Sequence, residues 1–161
     1  MKKNDLIFIV DDDLFFASSL EHFLKYLGFT NIQVYSTANE SIKNSFKSPS
    51  LIFLDYNLPD LSGEAALLEF LSFDANIPIV VISGQESIGN AINTLKFGAY
   101  DYIRKDNLAY DNLKNVINRI TTFNKHVLKE RLKSNVKKIT YALLVGAVVS
   151  VSFAGGYYLS V

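Results

Sequence analysis

The stretch LIFIVDDD, Leu6 to Asp13, decides the fold. Apolar residues, several of them β-branched, run without interruption until three carboxylates end the run, which is typical of a buried strand. Four further apolar runs follow, each separated from the next by a segment in which apolar residues recur at helical spacing. We predict strands at Leu6–Val10, Ile32–Ser36, Leu51–Asp55, Ile77–Ser83 and Ala99–Ile103.

The segments between these runs place apolar residues three and four positions apart, as amphipathic helices do. Buried strands joined by helices require a parallel sheet with helices on both faces, since parallel neighbours need crossover connections. The sequence therefore predicts an α/β fold with a doubly wound (βα)5 parallel sheet. The predicted helices cover about Phe15–Leu27, Ala38–Phe46, Gly63–Phe73 and Glu86–Gly98, and a long last helix runs from about Asn107 towards Lys133.

The composition excludes several classes of site. The 161 residues are 49% hydrophobic and 20% charged, which favours a packed core over a disordered chain. The sequence contains no Cys, so disulfides, Cys-ligated zinc and iron–sulfur clusters are excluded. His22 and His126 are too few for a His-rich metal site, and neither has a partner at catalytic spacing.

Charge divides the chain into three segments. Residues 1–105 carry 13 acidic and 8 basic side chains, a net charge of −5. Residues 106–138 carry 3 acidic and 8 basic side chains, a net charge of +5, and residues 139–161 carry no charge at all. We predict a globular domain over 1–122, a basic helical connector over 123–138 and an apolar tail beyond it.

Polar side chains collect where the predicted strands end. Because ligands of open parallel sheets bind outside the carboxyl ends of the strands, we expect these side chains to share one site. Clustered carboxylates repel each other unless a cation neutralises them, and oxygen ligands favour Mg²⁺. Together with a hydroxyl and a lysine, the set is typical of phosphoryl transfer. Its members are Asp11, Asp12, Asp13, Asp55, Ser83, Arg104 and Lys105.

Four motifs resemble the receiver domain of two-component response regulators, over roughly residues 4–122. IFIVDDD is similar to the acidic pocket of that family, and LIFLDYNLPDLSG to the segment around its phosphorylated aspartate. VVISG is similar to its hydroxyl motif, and AYDYIRKD to its final segment with a lysine. The four occur in order at the ends of strands 1, 3, 4 and 5, which makes the resemblance specific. It implies a flavodoxin-like receiver fold, here with an extended last helix.

The resemblance implies a role for each matching carboxylate. Asp55 would accept a phosphoryl group from a histidine kinase or a phosphotransfer protein. Asp12 and Asp55 would ligate Mg²⁺ directly, Asp11 mainly through water, and Asn57 through its backbone carbonyl. Asp13 is expected to cap the following helix instead, because carboxylates favour helix N-termini.

Three further residues take their roles from the same resemblance. Ser83 and Lys105 would each hold a phosphoryl oxygen, and Tyr102 would be the aromatic switch that turns inward. The resulting change would appear on helix 4, strand 5 and helix 5. Asp106 stands where the family usually has Pro, commonly after a cis peptide bond. Because a cis bond before a non-proline residue costs roughly 2.5 to 4 kcal/mol, we expect this departure to affect the efficiency of switching.

Two other functions remain open on the sequence. DDDLF faintly resembles the start of haloacid-dehalogenase-type phosphohydrolases, with Asp11 as nucleophile and Asp13 as acid/base, although we find no second acidic motif late in the chain. The other is a phosphorylation-independent pseudo-receiver that acts as a membrane scaffold, against which the intact Asp55 and Lys105 argue. We expect no enzymatic activity beyond self-catalysed phosphoacceptance and autodephosphorylation.

The tail ITYALLVGAVVSVSFAGGYYLSV, residues 139–161, is 23 residues long and uncharged. As a helix it would measure roughly 34 Å, enough for a bilayer core of about 30 Å, so we predict a transmembrane helix. The basic residues all precede it, which places the receiver on the cytoplasmic side of the cell membrane as a single-pass protein. No nucleic acid partner is expected. A small-residue stripe would allow two copies to pair through Ala142, Gly146, Ser150 and Ala154.

Overall fold

Strands and helices alternate along the chain in the computed structural model, which describes residues 1–84, 88–105 and 110–122. Strands β1 to β5 are Ile7–Val10, Ile32–Tyr35, Leu51–Asp55, Ile79–Ser83 and Asp101–Arg104. Helices α1 to α4 are Leu14–Tyr26, Ala38–Lys43, Gly63–Phe73 and Ile88–Lys96. A 3₁₀ turn at Ser45–Lys47 follows α2, and residues 110–122 form helix α5.

The five strands form one parallel sheet in the order β2-β1-β3-β4-β5. The strand order changes direction between β1 and β3, so the connecting helices lie on both faces of the sheet. The loops that follow β1 and β3 therefore lead to opposite faces. The predicted doubly wound (βα)5 sheet is confirmed. Its carboxyl edge carries the residues that follow β1, β3, β4 and β5.

Both faces of the sheet are buried, and alternate residues of each strand enter different halves of the core. Ile7 and Ile9 of β1 pack with α1 and α5, whereas Phe8 and Val10 pack with α2 and α3. This arrangement explains the uninterrupted apolar runs, because a strand covered on both sides has no polar face to show. The central strands are consequently rigid supports for the polar residues at their ends.

Several boundaries differ from the sequence prediction, three of them for a reason that is visible in the backbone. β4 begins two residues later, at Ile79, because Pro78 has no N–H to give to the ladder. β5 begins at Asp101, because the backbone N–H of Ala99 bonds back to the carbonyl of Thr94 and completes the end of α4. α2 is three residues shorter than predicted, since a 3₁₀ turn takes over after it.

The chain divides into two compact units, Met1–Thr121 and Thr122–Val161. The predicted connector and tail, residues 123–161, lie outside the described residues, as do the predicted ends of the last helix, residues 107–109 and 123–133. Within the described ranges, no helix is both long enough and apolar enough to cross a bilayer. The transmembrane helix therefore stays a prediction.

Candidate functional site

Three carboxylates meet at the carboxyl edge of the sheet. Asp11 directly follows β1, Asp12 comes next, and Asp55 is the last residue of β3. Their nearest carboxylate oxygens all lie within 4.8 Å of one another. Asp11 and Asp55 are buried, at 2% and 5% exposure, whereas Asp12 faces solvent. The site is thus a shallow acidic pocket with one open side.

One cation reaches this pocket from the neighbouring strand end. The Lys105 ammonium lies 2.8 Å from Oδ2 of Asp11 and donates to its Oδ1 at 3.0 Å. The same Nζ lies 3.4 Å from Oδ2 of Asp55. The backbone fixes this reach, because the Lys105 N–H donates to the carbonyl of Ser83 at 2.8 Å. The Lys105 ammonium therefore contacts two of the three carboxylates, Asp11 and Asp55.

The carboxylates carry more negative charge than the lysine compensates. Burial raises the pKa of Asp11 to about 6, although the hydrogen bond and charge of Lys105 act in the opposite direction. Burial also raises the pKa of Asp55, against the charge of Lys105 and the backbone N–H of Asn57. Oxygen donors in excess of positive charge suit a hard divalent cation, so these residues fit Mg²⁺.

The loop after β3 is held by a close backbone approach at Gly63. The Gly63 N–H donates to the Tyr56 carbonyl at 2.9 Å, and Asn57 forms a bridge with Ser62 inside the loop. A Cβ on Gly63 would lie 2.6 Å from the Tyr56 Cα and 2.8 Å from its oxygen. Only glycine fits, and the tight loop keeps Asn57 beside Asp55.

Asp60 ties the same loop to α2. Its carboxylate accepts hydrogen bonds from the N–H groups of Ala38 at 3.0 Å and Asn39 at 2.8 Å. Burial opposes ionisation, but these N–H donors prevail and hold the pKa of Asp60 below its ordinary value. The sequence analysis missed this residue, because a cap supplied from 22 positions away leaves no local pattern.

Asp13 is the cap of α1, as predicted. Its side chain accepts hydrogen bonds from the N–H groups of Phe15 at 3.0 Å and Phe16 at 3.1 Å. Its own N–H donates to Oδ1 of Asp11 at 3.0 Å. Asp13 therefore orients the buried Asp11 carboxylate, and its own carboxylate accepts hydrogen bonds from the first turn of α1. The carboxylates gathered in the pocket are those of Asp11, Asp12 and Asp55.

Ser83 and Tyr102 occupy the neighbouring strands. Ser83 ends β4, is fully buried, and lies opposite Arg104 in the register of β4 and β5. Tyr102 lies opposite Val81, is half-buried, and packs against the apolar cluster on the α2 and α3 side of the sheet. The hydroxyl and switch roles of these residues stay predictions. Asp106 lies outside the described residues.

Phe16 contributes an aromatic face that the sequence analysis also missed. The Lys105 Nζ lies 4.6 Å from the centroid of the Phe16 ring, within range of a cation–π contact. Phe16 belongs to the first turn of α1 and packs against the α1 and α5 side of the core. Its position between apolar residues of a helix predicts a core contact, and nothing in that spacing indicates which cation lies on the ring.

Comparison with known proteins points to one family. The family model for the response regulator receiver domain matches residues 7–118. The transcriptional regulatory protein PrrA of Mycobacterium leprae is 31% identical over 100 residues, which cover 62% of this chain and 42% of PrrA. The cell cycle transcriptional regulator CtrA of Caulobacter vibrioides is 33% identical over 100 residues, 62% of this chain and 43% of CtrA. The chain thus spans less than half the length of these curated relatives.

Several solved structures are similar to this chain. The receiver domain of NtrX from Brucella abortus is 30% identical with a TM-score of 0.65, over 71% of this chain and 96% of that one. A CheY-like response regulator receiver domain protein from Methanospirillum hungatei is 25% identical with a TM-score of 0.67, over 76% of this chain and 98% of that one.

Proposed function

The chain belongs to the response regulator receiver family of two-component signalling, and on that premise we propose that Asp55 accepts a phosphoryl group from the phosphohistidine of a histidine kinase or phosphotransfer protein. One observation carries the proposal. The Lys105 ammonium contacts the two buried carboxylates of the acidic cluster, Asp11 and Asp55, as a site that must neutralise incoming phosphoryl oxygens requires.

In the proposed reaction, a carboxylate oxygen of Asp55 attacks phosphorus while the P–N bond of the phosphohistidine breaks. The imidazole leaves with the bonding electron pair and takes up a proton, and the product is an acyl phosphate on Asp55. The Lys105 ammonium then pairs with a phosphoryl oxygen instead of the former Asp55 carboxylate. No activity is proposed beyond this self-catalysed acceptance and the later hydrolysis of the acyl phosphate.

The proposed ligands of Mg²⁺ are Asp12 and Asp55 directly, Asp11 through water and Asn57 through its carbonyl. The oxygen-rich donor set and the raised pKa values of the two buried carboxyl groups support this assignment. When bound, the ion neutralises charge on the phosphoryl oxygens and aligns them with the attacking oxygen. The exposure of Asp12 leaves this side of the pocket open to a phosphodonor.

We propose that the output passes through protein contacts. Ser83 would hold a phosphoryl oxygen while Tyr102 turns inward, which shifts the population between two packings of α4, β5 and α5. PrrA and CtrA are named as transcriptional regulators, but the net charge of −5 over residues 1–105 disfavours contact of this part with DNA phosphates.

The tail is proposed to anchor the protein in the cell membrane, with the receiver on the cytoplasmic side. Its support is the uncharged run of residues 139–161 and the basic residues that precede it. Pairing of two copies through the small residues of this segment is part of the same proposal.

Phosphoryl transfer to the full-length protein tests the central proposal. Incubation with acetyl phosphate and Mg²⁺, followed by intact mass measurement, should show one added phosphoryl group. Asp55→Asn should abolish the addition, whereas the matched change Asp111→Asn, on the exposed face of α5, should leave it unchanged. Full labelling of Asp55→Asn would place the nucleophile elsewhere, with Asp11 the first alternative. An unlabelled wild type would favour the pseudo-receiver scaffold.

A further inference from the structure

We propose that Phe16 is a positioning residue for Lys105, and that its ring sets the rate at which Asp55 is phosphorylated. The inference rests on the proposed phosphoryl transfer and adds a residue to it. The Phe16 ring contacts the Lys105 ammonium. It acts on the ammonium that must follow the phosphoryl oxygens during the reaction.

In the part of the chain that the structure describes, three groups contact the Lys105 ammonium. Two are carboxylates, Asp11 at 2.8 Å and Asp55 at 3.4 Å, and the third is the Phe16 ring at 4.6 Å. Only 15% of the lysine side chain is exposed. The ring presents its electron-rich face to the ammonium and takes the place of water there, which strengthens both ion pairs by lowering the local dielectric constant.

The ring is fixed by a closed circuit of contacts. Asp11 accepts a hydrogen bond from the Asp13 N–H, and Asp13 accepts one from the Phe16 N–H. The Phe16 ring then contacts Lys105, whose ammonium returns to Asp11. Packing of the half-buried ring against the α1 and α5 side of the core completes the support. Contacts from the first turn of α1 therefore position both the Asp11 carboxylate and the Lys105 ammonium.

The contact between Phe16 and Lys105 becomes important when Asp55 is phosphorylated. Once Asp55 becomes an acyl phosphate, the oxygen beside Lys105 loses its charge and the ammonium must shift towards a phosphoryl oxygen. An aromatic face attracts a cation over its whole area, so Phe16 still stabilises the ammonium after a small displacement. A leucine would fill the same apolar space without this attraction, and the lysine would have more freedom at the moment of transfer.

Substitutions on α1 test the role in the full-length protein. Phe16→Leu should slow phosphorylation by acetyl phosphate and Mg²⁺ by roughly threefold to tenfold, as expected for a partly exposed cation–π contact. Phe16→Tyr should stay within about twofold of the wild type, because it restores the ring. Phe23→Leu is the matched control, since Phe23 is also half-buried on α1, packs in the same core and contacts Tyr110 instead of the lysine.

A double substitution and a spectroscopic readout separate positioning from stability. In a Lys105→Met background, Phe16→Leu should cause no further loss of rate. In NMR spectra, the ε-methylene protons of Lys105 should be shifted upfield by the ring in the wild type and Phe16→Tyr, and this shift should vanish in Phe16→Leu alone.

The outcomes distinguish this role from the proposed function. A wild type that takes up no phosphoryl group overturns both. A labelled wild type with Phe16→Leu as fast as Phe23→Leu overturns only the positioning role, as does an unshifted Lys105 signal in the wild type. If Phe16→Leu does not fold, Phe16→Met gives the same comparison with a flexible side chain of similar size.

Discussion

At the scale of single residues, the negative charge of the buried carboxylates lowers the stability of the fold when no metal ion is bound. The pKa of Asp11 is about 6, above its ordinary value of 3.8, so the folded state holds the proton more tightly than the unfolded chain does. The stability contributed by this proton is fully present below pH 3.8 and is lost as the pH rises through about 6. Near neutral pH, the site without a bound cation therefore strains the fold.

Asp11→Asn should relieve that strain. Without Mg²⁺ at pH 7.5, we expect the free energy of unfolding to rise by roughly 1 to 3 kcal/mol, because no charge is left to bury. The gain should disappear near pH 4. Urea unfolding at both pH values in the presence of a chelator measures it, with Asp111→Asn on the exposed face of α5 as control. Equal gains at both pH values would contradict the assigned cause.

Substitutions of the neighbouring residues Asp12 and Asp13 should differ in their effects on stability and on Mg²⁺ binding. Asp13→Ala removes two hydrogen bonds from the first turn of α1 and should lower the free energy of unfolding by about 1 kcal/mol. Asp12→Ala should weaken Mg²⁺ binding more strongly, with little loss of stability. Urea unfolding and Mg²⁺ titration of both variants decide the matter. If Asp13→Ala weakens binding more, the register assigned to the acidic pocket is wrong by one residue.

At the scale of secondary-structure elements, the loop between β3 and α3 is tightly constrained at Gly63. Gly63→Ala would force its Cβ against backbone atoms of Tyr56, which cannot rotate away. We expect a loss of roughly 1 to 3 kcal/mol in the free energy of unfolding. Mg²⁺ affinity should fall as well, because the displaced loop carries Asn57.

Gly84→Ala is the control for that prediction, since among the described residues no atom outside its chain neighbours lies within 4 Å of its added Cβ. Thermal and urea unfolding of both variants, with Mg²⁺ titration, provide the comparison. Equal stability of the two variants would show that the loop yields without cost.

The strands were predictable because both faces of the sheet are buried, and that burial leaves uninterrupted apolar runs. The approximate position of the site followed, since residues after parallel strands share one edge. The start of β5 was missed by two residues, because the end of α4 claims the N–H of Ala99. Asp60 and Phe16 act on partners remote in sequence, and local spacing carries no information about such partners.

At the scale of the whole molecule, the proposed membrane anchor predicts where the receiver is found. Full-length protein should pellet with membranes and stay there through high-salt and alkaline washes, because an uncharged helix of 23 residues would be held by the hydrocarbon core. A chain ending at Asn135 should remain in the supernatant and still accept phosphate. Release of the full-length protein by salt alone would show that the tail does not span the bilayer.

The contact between Lys105 and Asp11 joins residues 94 positions apart, and this separation sets when the pocket can first exist. During synthesis the acidic residues after β1 and β3 emerge well before the lysine does. A nascent chain therefore carries repelling carboxylates until β5 leaves the ribosome and docks at the edge of the sheet. The complete pocket thus forms late in synthesis, and a chain released before Lys105 would have the acids of the pocket without their cation.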